Sequence, residues 1–522
     1  MNPDGKIAGK QTGGKATAFF WFAAVFLTIF SSKLWLIDFF NGSALPWWDQ
    51  WVTEGWSLYI PFMEKNLALK DLFAGHSEHR IFINRVLSLL LFVLNGQTWD
   101  ARLSMTLNAL ITAGIGVILS ACAWILLGKK NIAAICLFNT LVFSLPFSWA
   151  DTLLGVTGKE VLIMLALSAI WFLLGARLFS GKWLLGLLCA LFSLVTLGSG
   201  FCAAASVLMI IFLRIVMRTG PDCRCRSARC GGQFAGGSVG TSRLDANLIA
   251  TTILLVIFIA GILLMISVPE HAALRPADIR TFLVCFGRNL AWPNSDFLWS
   301  AFIIWLPSLL LFGAYIFRRI DEQRAVEFIM GFGLWVVLQG AALAFSRGSG
   351  ITSRHTVFLC LSWPINFLAL LLLMHKQTAM PCLRKGLMVI FFVWLGNAGY
   401  GLWKISDNTY RAEAVNYKQQ FKQCEKNVRS FLGSNNLADL ANKPLYEIPF
   451  PNPEQLALVL RNPHIRAILP ACVAGANKPG PLAVFVAKLI PQGKKLLIIG
   501  ISLLVVLTGT CFYQSFARPA RL

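Results

Sequence analysis

The sequence predicts an all-α polytopic membrane protein, with about twelve transmembrane helices and a small α/β domain on the outer face of the membrane. Three observations predict this fold class. The 522 residues are 57% hydrophobic and only 13% charged, whereas a soluble domain carries about 25% charged residues. Apolar stretches of about 20 residues recur along the chain, and Lys and Arg collect in the loops between them. This composition excludes a soluble globular protein.

Each predicted span is an apolar stretch of roughly the 20 residues that a helix needs to cross a bilayer. The stretches are 17–39, 101–128, 131–149, 160–178, 183–200, 201–217, 247–267, 298–317, 325–345, 356–374, 385–403 and 495–513. The first is too long for the apolar core of a signal peptide, so we expect a retained anchor. Residues 1–403 are thus the predicted transmembrane domain, and 493–522 the final transmembrane helix with a cytoplasmic tail.

The basic residues predict the orientation of the chain. Lys6, Lys10 and Lys15 precede the first span, and Lys129 and Lys130 follow the second. Because cytoplasmic loops are rich in Lys and Arg, we expect both termini in the cytoplasm. The formal net charge of +22 then reflects these loops and their contacts with anionic phospholipids, and not nucleic-acid binding.

The stretch "IFINRVLSLLLFVLNG" (81–96) is apolar but is not counted as a span. If it crossed the membrane, Lys129 and Lys130 would lie outside and every later loop would invert. Arg85 within it also disfavours a position in lipid. We therefore expect a helix lying in or against the outer interface.

Two regions large enough to carry a function remain on the outer face. The first is the loop 40–100. The second, 404–492, begins as an amphipathic helix and continues as a loop-rich stretch, which predicts the small α/β domain. Cys424 and Cys472 both lie in it, and a disulfide between them stays open.

The first loop opens with "FFNGSALPWWDQWVTEGW" (39–56), whose tryptophans predict a position at headgroup depth. Desolvation there raises the pKa of a carboxylate and a nearby Arg lowers it, which together can produce a base that works near neutral pH. Asp49 is the candidate base, although it also suits the N-cap of a helix starting at Gln50. Glu54 is either a second acid or a solvated residue on a helix face.

Later segments supply further candidate residues. "HSEHRIFINR" contains Glu78 and Arg80, "PFSWADTLLG" contains Asp151, and "SRGSGITSRHT" contains Arg347, Arg354 and His355. Arginines where an apolar channel meets water suit a phosphate attached to a lipid. Snorkelling toward the interface is the alternative for each of them.

Metal and nucleotide motifs are weak or missing in the sequence. His76 and His79 have HxxH spacing, and "CRCRSARC" places Cys223, Cys225 and Cys230 in a basic loop, but neither pattern is specific for a metal. We predict no metal cofactor. The chain has no P-loop, no GxGxxG after a strand and no HExxH, which argues against a nucleotide-driven pump.

The predicted topology resembles that of the GT-C class of integral-membrane glycosyltransferases: an N-terminus inside, a first span, a long first outer loop that opens with an acid and contains interfacial helices, many further spans and a soluble part outside. The stretches "PWWDQW", "HSEHRIFINR" and "SRHT" also resemble stretches in members of this class. The resemblance implies a multi-pass protein of a bacterial inner membrane. It also implies a sugar donor on polyprenyl phosphate and an acceptor that is a glycan, lipopolysaccharide or lipid of the cell envelope. It implies that Asp49 is the catalytic base, with Asp151 as the acid of the second outer loop. Arg347 and Arg354, with Arg80 and His355 behind them, would bind the donor phosphate. No paired acidic motif surrounds Asp151, so a divalent metal stays open.

Three alternatives fit a chain with this many spans. A transporter or flippase for a lipid-linked glycan usually has two similar halves, which this sequence lacks. An O-antigen-type polymerase or ligase carries its largest outer loop in the middle or late part of the chain, as 404–492 would be. A membrane scaffold without chemistry is the third.

Overall fold

The computed structural model describes residues 5–155, 158–219, 239–320, 322–348, 353–376 and 381–516. The longer α-helices are Gly5–Phe39, Phe82–Leu94, Ala101–Leu127, Ile132–Ser144, Gly158–Gly175, Gly181–Leu194, Cys202–Thr219, Val239–Leu263, Ile279–Leu290, Trp299–Ile316, Gln323–Ser346, Ser362–Lys376, Pro381–Asn408, Ala414–Ser434, Pro453–Arg461, Pro481–Leu489 and Gly493–Phe516. Short α-helices are Ile60–Met63, Leu69–Leu72, Ala150–Leu153, Thr356–Leu359 and Pro463–Ile468. π-helical turns occupy Trp51–Tyr59 and Thr409–Glu413, and one two-stranded hairpin pairs Gly75–His76 with His79–Arg80.

Eight helices within the described ranges are long and apolar enough to cross a membrane, so the chain is an all-α, multi-pass membrane protein. Each of the eight coincides with one of the predicted spans. The other four predicted spans correspond to shorter apolar helices, at Ile132–Ser144, Gly181–Leu194, Cys202–Met217 and Asn247–Leu263. The "CRCRSARC" tract (223–230) lies outside the described residues.

The first helix packs against several other helices of the bundle. Gly5–Phe39 packs against Ala101–Leu127 and against the last helix, Gly493–Phe516. Its approach to the last helix is close, because a Cβ added at Gly500 would lie 2.5 Å from Thr28 Oγ1. Small residues allow helix backbones to approach each other in this way within a membrane.

A buried ion pair joins four helices of the bundle. Arg214 donates from Nε and Nη2 to the two carboxylate oxygens of Glu327, at 2.7 and 2.6 Å, and from Nη2 to the Leu174 carbonyl. Tyr315 and Gln323 also donate to Glu327. Arg214 and Glu327 thereby satisfy one another where an unpaired charge would be costly.

Residues 404–492 form a helical unit, and the prediction of an α/β domain there is wrong. The structure describes this whole segment and contains no strand in it. The helix Pro381–Asn408 continues through Thr409–Glu413 into Ala414–Ser434, so it crosses the predicted boundary at residue 404 without a break.

Asn-Pro pairs explain the error. Asn452 and Asn462 accept hydrogen bonds from the next turn as N-caps, and Pro453 and Pro463 occupy the first helical positions. Proline at the first position and asparagine at the N-cap start helices, although the same dipeptide is also typical of loops.

The first loop and residues 404–492 share one hydrophobic core. Trp47 packs against Phe421 with ring centroids 4.8 Å apart, and the Trp99 amide donates to the Ile468 carbonyl at 2.8 Å. Cys424 and Cys472 are both free thiols, and Cys424 Sγ instead donates to the Tyr446 carbonyl at 3.0 Å.

Candidate functional site

The segment after the first helix is held by its own side chains. Trp47 N donates to Gln50 Oε1 at 3.0 Å, and Trp51 Nε1 donates to the Pro46 carbonyl at 2.9 Å. Trp48 has a φ of 49°, and its amide donates to the Pro449 carbonyl at 2.7 Å. A bulky residue with positive φ is uncommon and points to a local constraint.

We had expected the tryptophans of this segment to lie at headgroup depth. The structure instead buries some of them within the protein. Trp47 and Trp51 are buried in the protein, and Trp51 packs edge to face on Trp99. Trp56 is 45% exposed. Two of the four rings therefore hold the loop against the rest of the protein.

Asp49 lies in a cavity of about 440 Å³ at one end of the bundle, which we call the site cavity. Arg354 faces it, with Nη1 3.6 Å from Asp49 Oδ2. The two side chains are 43% and 37% exposed, so water reaches both. The helical turn after Asp49 has no side-chain cap, and the Asp49 carboxylate points to the guanidinium instead. The N-cap interpretation is therefore wrong.

Glu54 also lines the site cavity, but it is buried and not the solvated residue that we had considered. Four side chains donate to its carboxylate: Gln50, Tyr59, Ser88 and Trp99. Burial raises the pKa of Glu54 to about 7 against the opposing effect of these hydrogen bonds. Glu54 thus connects the first loop with the helix Phe82–Leu94 and with the start of Ala101–Leu127.

Glu78 lies at the tip of the hairpin and faces a histidine and an arginine. Its Oε1 is 2.5 Å from His271 Nδ1 and 3.7 Å from Arg347 Nη1. Burial acts to raise the pKa of Glu78 and is the largest single effect, but the hydrogen bond with His271, a backbone hydrogen bond and the nearby imidazoles of His271 and His79 together outweigh it, so the pKa is lowered. Glu78 is therefore an anion at neutral pH that holds Arg347 at the cavity wall.

Arg347, Arg354 and His355 line the site cavity together. Burial, reinforced by the charge of Arg354, lowers the pKa of His355 well below its ordinary value. The imidazole is therefore neutral at pH 7. The wall thus carries two guanidinium groups and a neutral imidazole. These groups can donate hydrogen bonds to a bound anion.

Asp151 does not line the cavity but lies behind its wall. Lys159 Nζ is 3.4 Å from Asp151 Oδ1 and donates to the Arg354 carbonyl at 2.8 Å, and Thr356 Oγ1 donates to Asp151 Oδ2. Burial raises the pKa of Asp151, against the effect of Lys159. Asp151 thus positions the Lys159 ammonium and, through it, the backbone of Arg354.

Arg80 is the predicted phosphate ligand that the structure does not bring to the cavity. Its Nη1 donates to the Phe73 carbonyl at 3.1 Å, and its side chain is absent from the cavity lining. The neighbouring His79 accepts a hydrogen bond at Nδ1 from the Gly198 amide. Burial lowers the pKa of His79 to about 4.

An apolar groove of about 440 Å³ adjoins the site cavity. The two share six lining residues: Glu78, His79, Lys159, Leu197, Arg347 and His355. The rest of the groove is mainly apolar, with Met265, Ile266, Phe282, Leu338, Phe345 and Phe358 among its walls. A charged cavity therefore opens directly into an apolar channel.

Sequence reasoning missed several polar residues of the cavity, among them Lys159 and Asn84. Lys159 stands at the start of an apolar span, and a lysine at that position is itself a signal, because charged residues in spans usually have a function. Asn84 carries no such signal, since one amide in an apolar helix is common. Among the described residues, no three His, Cys, Asp or Glu side chains come together as a metal site.

Comparison with known proteins assigns no family. No model of a protein family matches the chain, and no curated protein matches it significantly.

Proposed function

We propose that this protein is a membrane glycosyltransferase of the bacterial envelope. It would move a sugar from a polyprenyl-phosphate donor to a hydroxyl group of an envelope glycan or lipid acceptor. One observation carries the proposal: a cavity in which Asp49 faces Arg354 opens through Arg347, Lys159 and His355 into an apolar groove. A lipid with a phosphate head is the ligand whose chemistry matches both parts.

The donor fits across the boundary between the two cavities. The groove suits an isoprenoid chain, because its lining is mainly aliphatic and aromatic. Arg347, Arg354 and Lys159 supply positive charge where the phosphate would emerge from the groove. Arginine suits this role because its planar fork binds phosphate oxygens in pairs.

The reaction needs one base and one stabilised leaving group. The acceptor oxygen forms a bond to the anomeric carbon while the bond from that carbon to the phosphate oxygen breaks. The acceptor proton passes to the Asp49 carboxylate, and polyprenyl phosphate leaves as an anion beside Arg347 and Arg354. Positioning and electrostatic stabilisation supply most of the rate. Direct displacement predicts inversion at the anomeric carbon.

The acceptor would enter past an aromatic wall. Trp48, Trp149 and Tyr446 line the site cavity, and the ring centroids of Trp48 and Tyr446 are 6.2 Å apart. Aromatic faces are suited to packing against sugar rings. Tyr446 belongs to the 404–492 unit, which would therefore take part in choosing the acceptor.

The charge distribution supports a site on the outer face of the inner membrane, with about twelve spans and both termini cytoplasmic. The helix Ala101–Leu127 begins beside the site cavity, where Trp99 packs on Trp51 and donates to Glu54. It ends at Lys129 and Lys130, roughly 40 Å away at the rise of an α-helix. Basic residues mark the cytoplasmic end, so the cavity would face outward.

The sugar composition of the envelope glycan tests this proposal. It is measured in cells from which the gene has been deleted and to which either the wild-type protein or a variant has been returned. Wild-type protein should restore a surface sugar, and Asp49→Asn should not, although it reaches the membrane at a normal level. Asp296→Asn is the matched control: it removes the same charge from an exposed pair with Lys404 and should restore the sugar. Normal glycan with Asp49→Asn would contradict the proposal. Donor lipid accumulating on the inner face would indicate a flippase.

A further inference from the structure

Asn84 is a buried amide in the site cavity that the proposed reaction leaves unused. It lies in the first turn of Phe82–Leu94, is 5% exposed and lines the cavity. Neither its Oδ1 nor its Nδ2 has a hydrogen-bond partner among the residues that the structure describes. Buried amides in proteins are nearly always paired, so an unpaired one in a cavity wall points to a ligand.

Two further polar atoms of lining residues are also buried without a hydrogen-bond partner among the described residues. These atoms are Trp47 Nε1 and Arg85 Nε. The Nη1 atom of Arg85 is occupied with the carbonyls of Asp71, Leu72 and Ala74, which fixes the guanidinium in place. The residues that line the cavity thus contain three buried donors and one buried acceptor for which the described part of the chain supplies no partner.

The contrast with Glu54 shows that this is not a general lack of partners at the cavity. Ser88 lies one turn beyond Asn84 on the same helix face, and it donates to Glu54 at 3.1 Å. Gln50, Tyr59 and Trp99 donate there too. Hydrogen bonding is therefore complete around Glu54 and incomplete around Asn84.

We propose that Asn84, with Trp47 Nε1 and Arg85 Nε, binds the hydroxyl groups of the sugar carried by the donor lipid. A carboxamide offers a donor and an acceptor side by side, and neighbouring hydroxyls of a sugar ring match that pair. A phosphate would not, because the amide oxygen would face another acceptor. This inference rests on the proposed function and names the part of the substrate that binds here.

The position of Asn84 favours the donor sugar over the acceptor. A Cβ at Gly158 would lie 2.5 Å from Asn84 Nδ2, so the amide packs directly against that glycine. The next residue is Lys159, at the proposed phosphate position. The sugar is joined to the phosphate by a single bridging oxygen, so the two subsites must be neighbours.

Binding by the purified full-length protein tests the inference, with two probes: polyprenyl phosphate, and the same lipid carrying single hexoses or pentoses. Wild-type protein should bind one glycosylated lipid more tightly than the sugar-free lipid. Asn84→Leu should lose this preference, by about tenfold in Kd, and keep its affinity for the sugar-free lipid. Its Tm should be unchanged or higher, because an unpaired buried amide is replaced by an apolar group of similar shape.

Asn139→Leu is the matched control. Asn139 is buried outside the cavity and donates to Ser120 Oγ at 2.9 Å. This variant should lose stability and keep the sugar preference.

The inference is overturned if Asn84→Leu retains the full preference for the glycosylated lipid. It is also overturned if that variant loses Tm as Asn139→Leu does, or loses affinity for an added acceptor glycan only. If neither lipid binds the wild-type protein, the proposed function fails and the inference falls with it.

Discussion

The proposed chemistry depends on two residues, Asp49 and Arg354, which face each other in the site cavity. Both were candidates, because an acid beside tryptophans and an arginine between apolar spans are uncommon in a membrane protein. Their separation of 3.6 Å was not predictable, since the residues are far apart in sequence. Two of the four donors to Glu54, Ser88 and Trp99, were hidden for the same reason, because they come from other elements.

Glu54→Gln should remove a pH dependence of stability. The pKa of Glu54 is raised from 4.5 to about 7 by burial, so the folded protein holds a proton that the unfolded chain releases in this range. The stability from this proton is complete below pH 4.5 and is lost as the pH rises through about 7. The expected loss is on the order of 3 kcal/mol.

Thermal unfolding of the purified protein across this pH range is the measurement. As the pH rises to neutral, the Tm of the wild-type protein should fall further than the Tm of Glu54→Gln. Glu64→Gln is the control, because Glu64 is 40% exposed and this variant should follow the wild-type curve. Parallel curves for wild type and Glu54→Gln would show that the proton at Glu54 is not coupled to folding.

At the scale of elements, the positions of the long apolar helices could be predicted from the sequence. The short helices that begin at Asn-Pro pairs could not. All eight long apolar helices lie on predicted spans, because length and hydropathy are local properties. A helix was predicted at 81–96, and Phe82–Leu94 forms there; its position in the outer interface stays a prediction. The helices Pro453–Arg461 and Pro463–Ile468 were mistaken for loop, because Asn-Pro is typical of both.

The packing of the last helix on the first predicts a difference between two of its glycines. At Gly500 a Cβ would lie 2.5 Å from Thr28 Oγ1 and 3.0 Å from Thr28 Cα, whereas at Gly509 nothing lies within 4 Å. Gly500→Leu should therefore cost about 1–3 kcal/mol through overpacking. Gly509→Leu, the control on the same helix, should stay within about 0.5 kcal/mol of wild type. Equal denaturation midpoints for the two variants would argue against this helix contact.

At the scale of the whole molecule, the Arg214–Glu327 pair connects helices distant in sequence. Glu327→Leu should lower stability by about 3–5 kcal/mol, because it leaves a largely buried guanidinium without its partner. Arg214→Met combined with Glu327→Leu should recover a large part of that loss, since no unpaired charge remains. A double-mutant cycle in detergent measures the coupling. Additive losses would mean that the two side chains do not depend on each other.

The architecture as a whole explains why function was harder to predict than fold. The site cavity draws its lining from the first loop, from the segments around 150, 197 and 350, and from the 404–492 unit. Composition and periodicity describe each segment separately and contain no information about how the segments meet. The separate acids and arginines could be named from sequence, but the channel between cavity and groove could not.

Single-turnover transfer by the purified protein tests the central claim most directly. The donor is the glycosylated polyprenyl phosphate that binds, and released polyprenyl phosphate is followed with acceptor present. Asp49→Asn should lower the rate by about 10²–10⁴ with donor affinity nearly unchanged, because the base is lost while the guanidinium groups of Arg347 and Arg354 remain. Arg347→Gln should instead weaken donor binding. Transfer by Asp49→Asn at the wild-type rate would contradict the account.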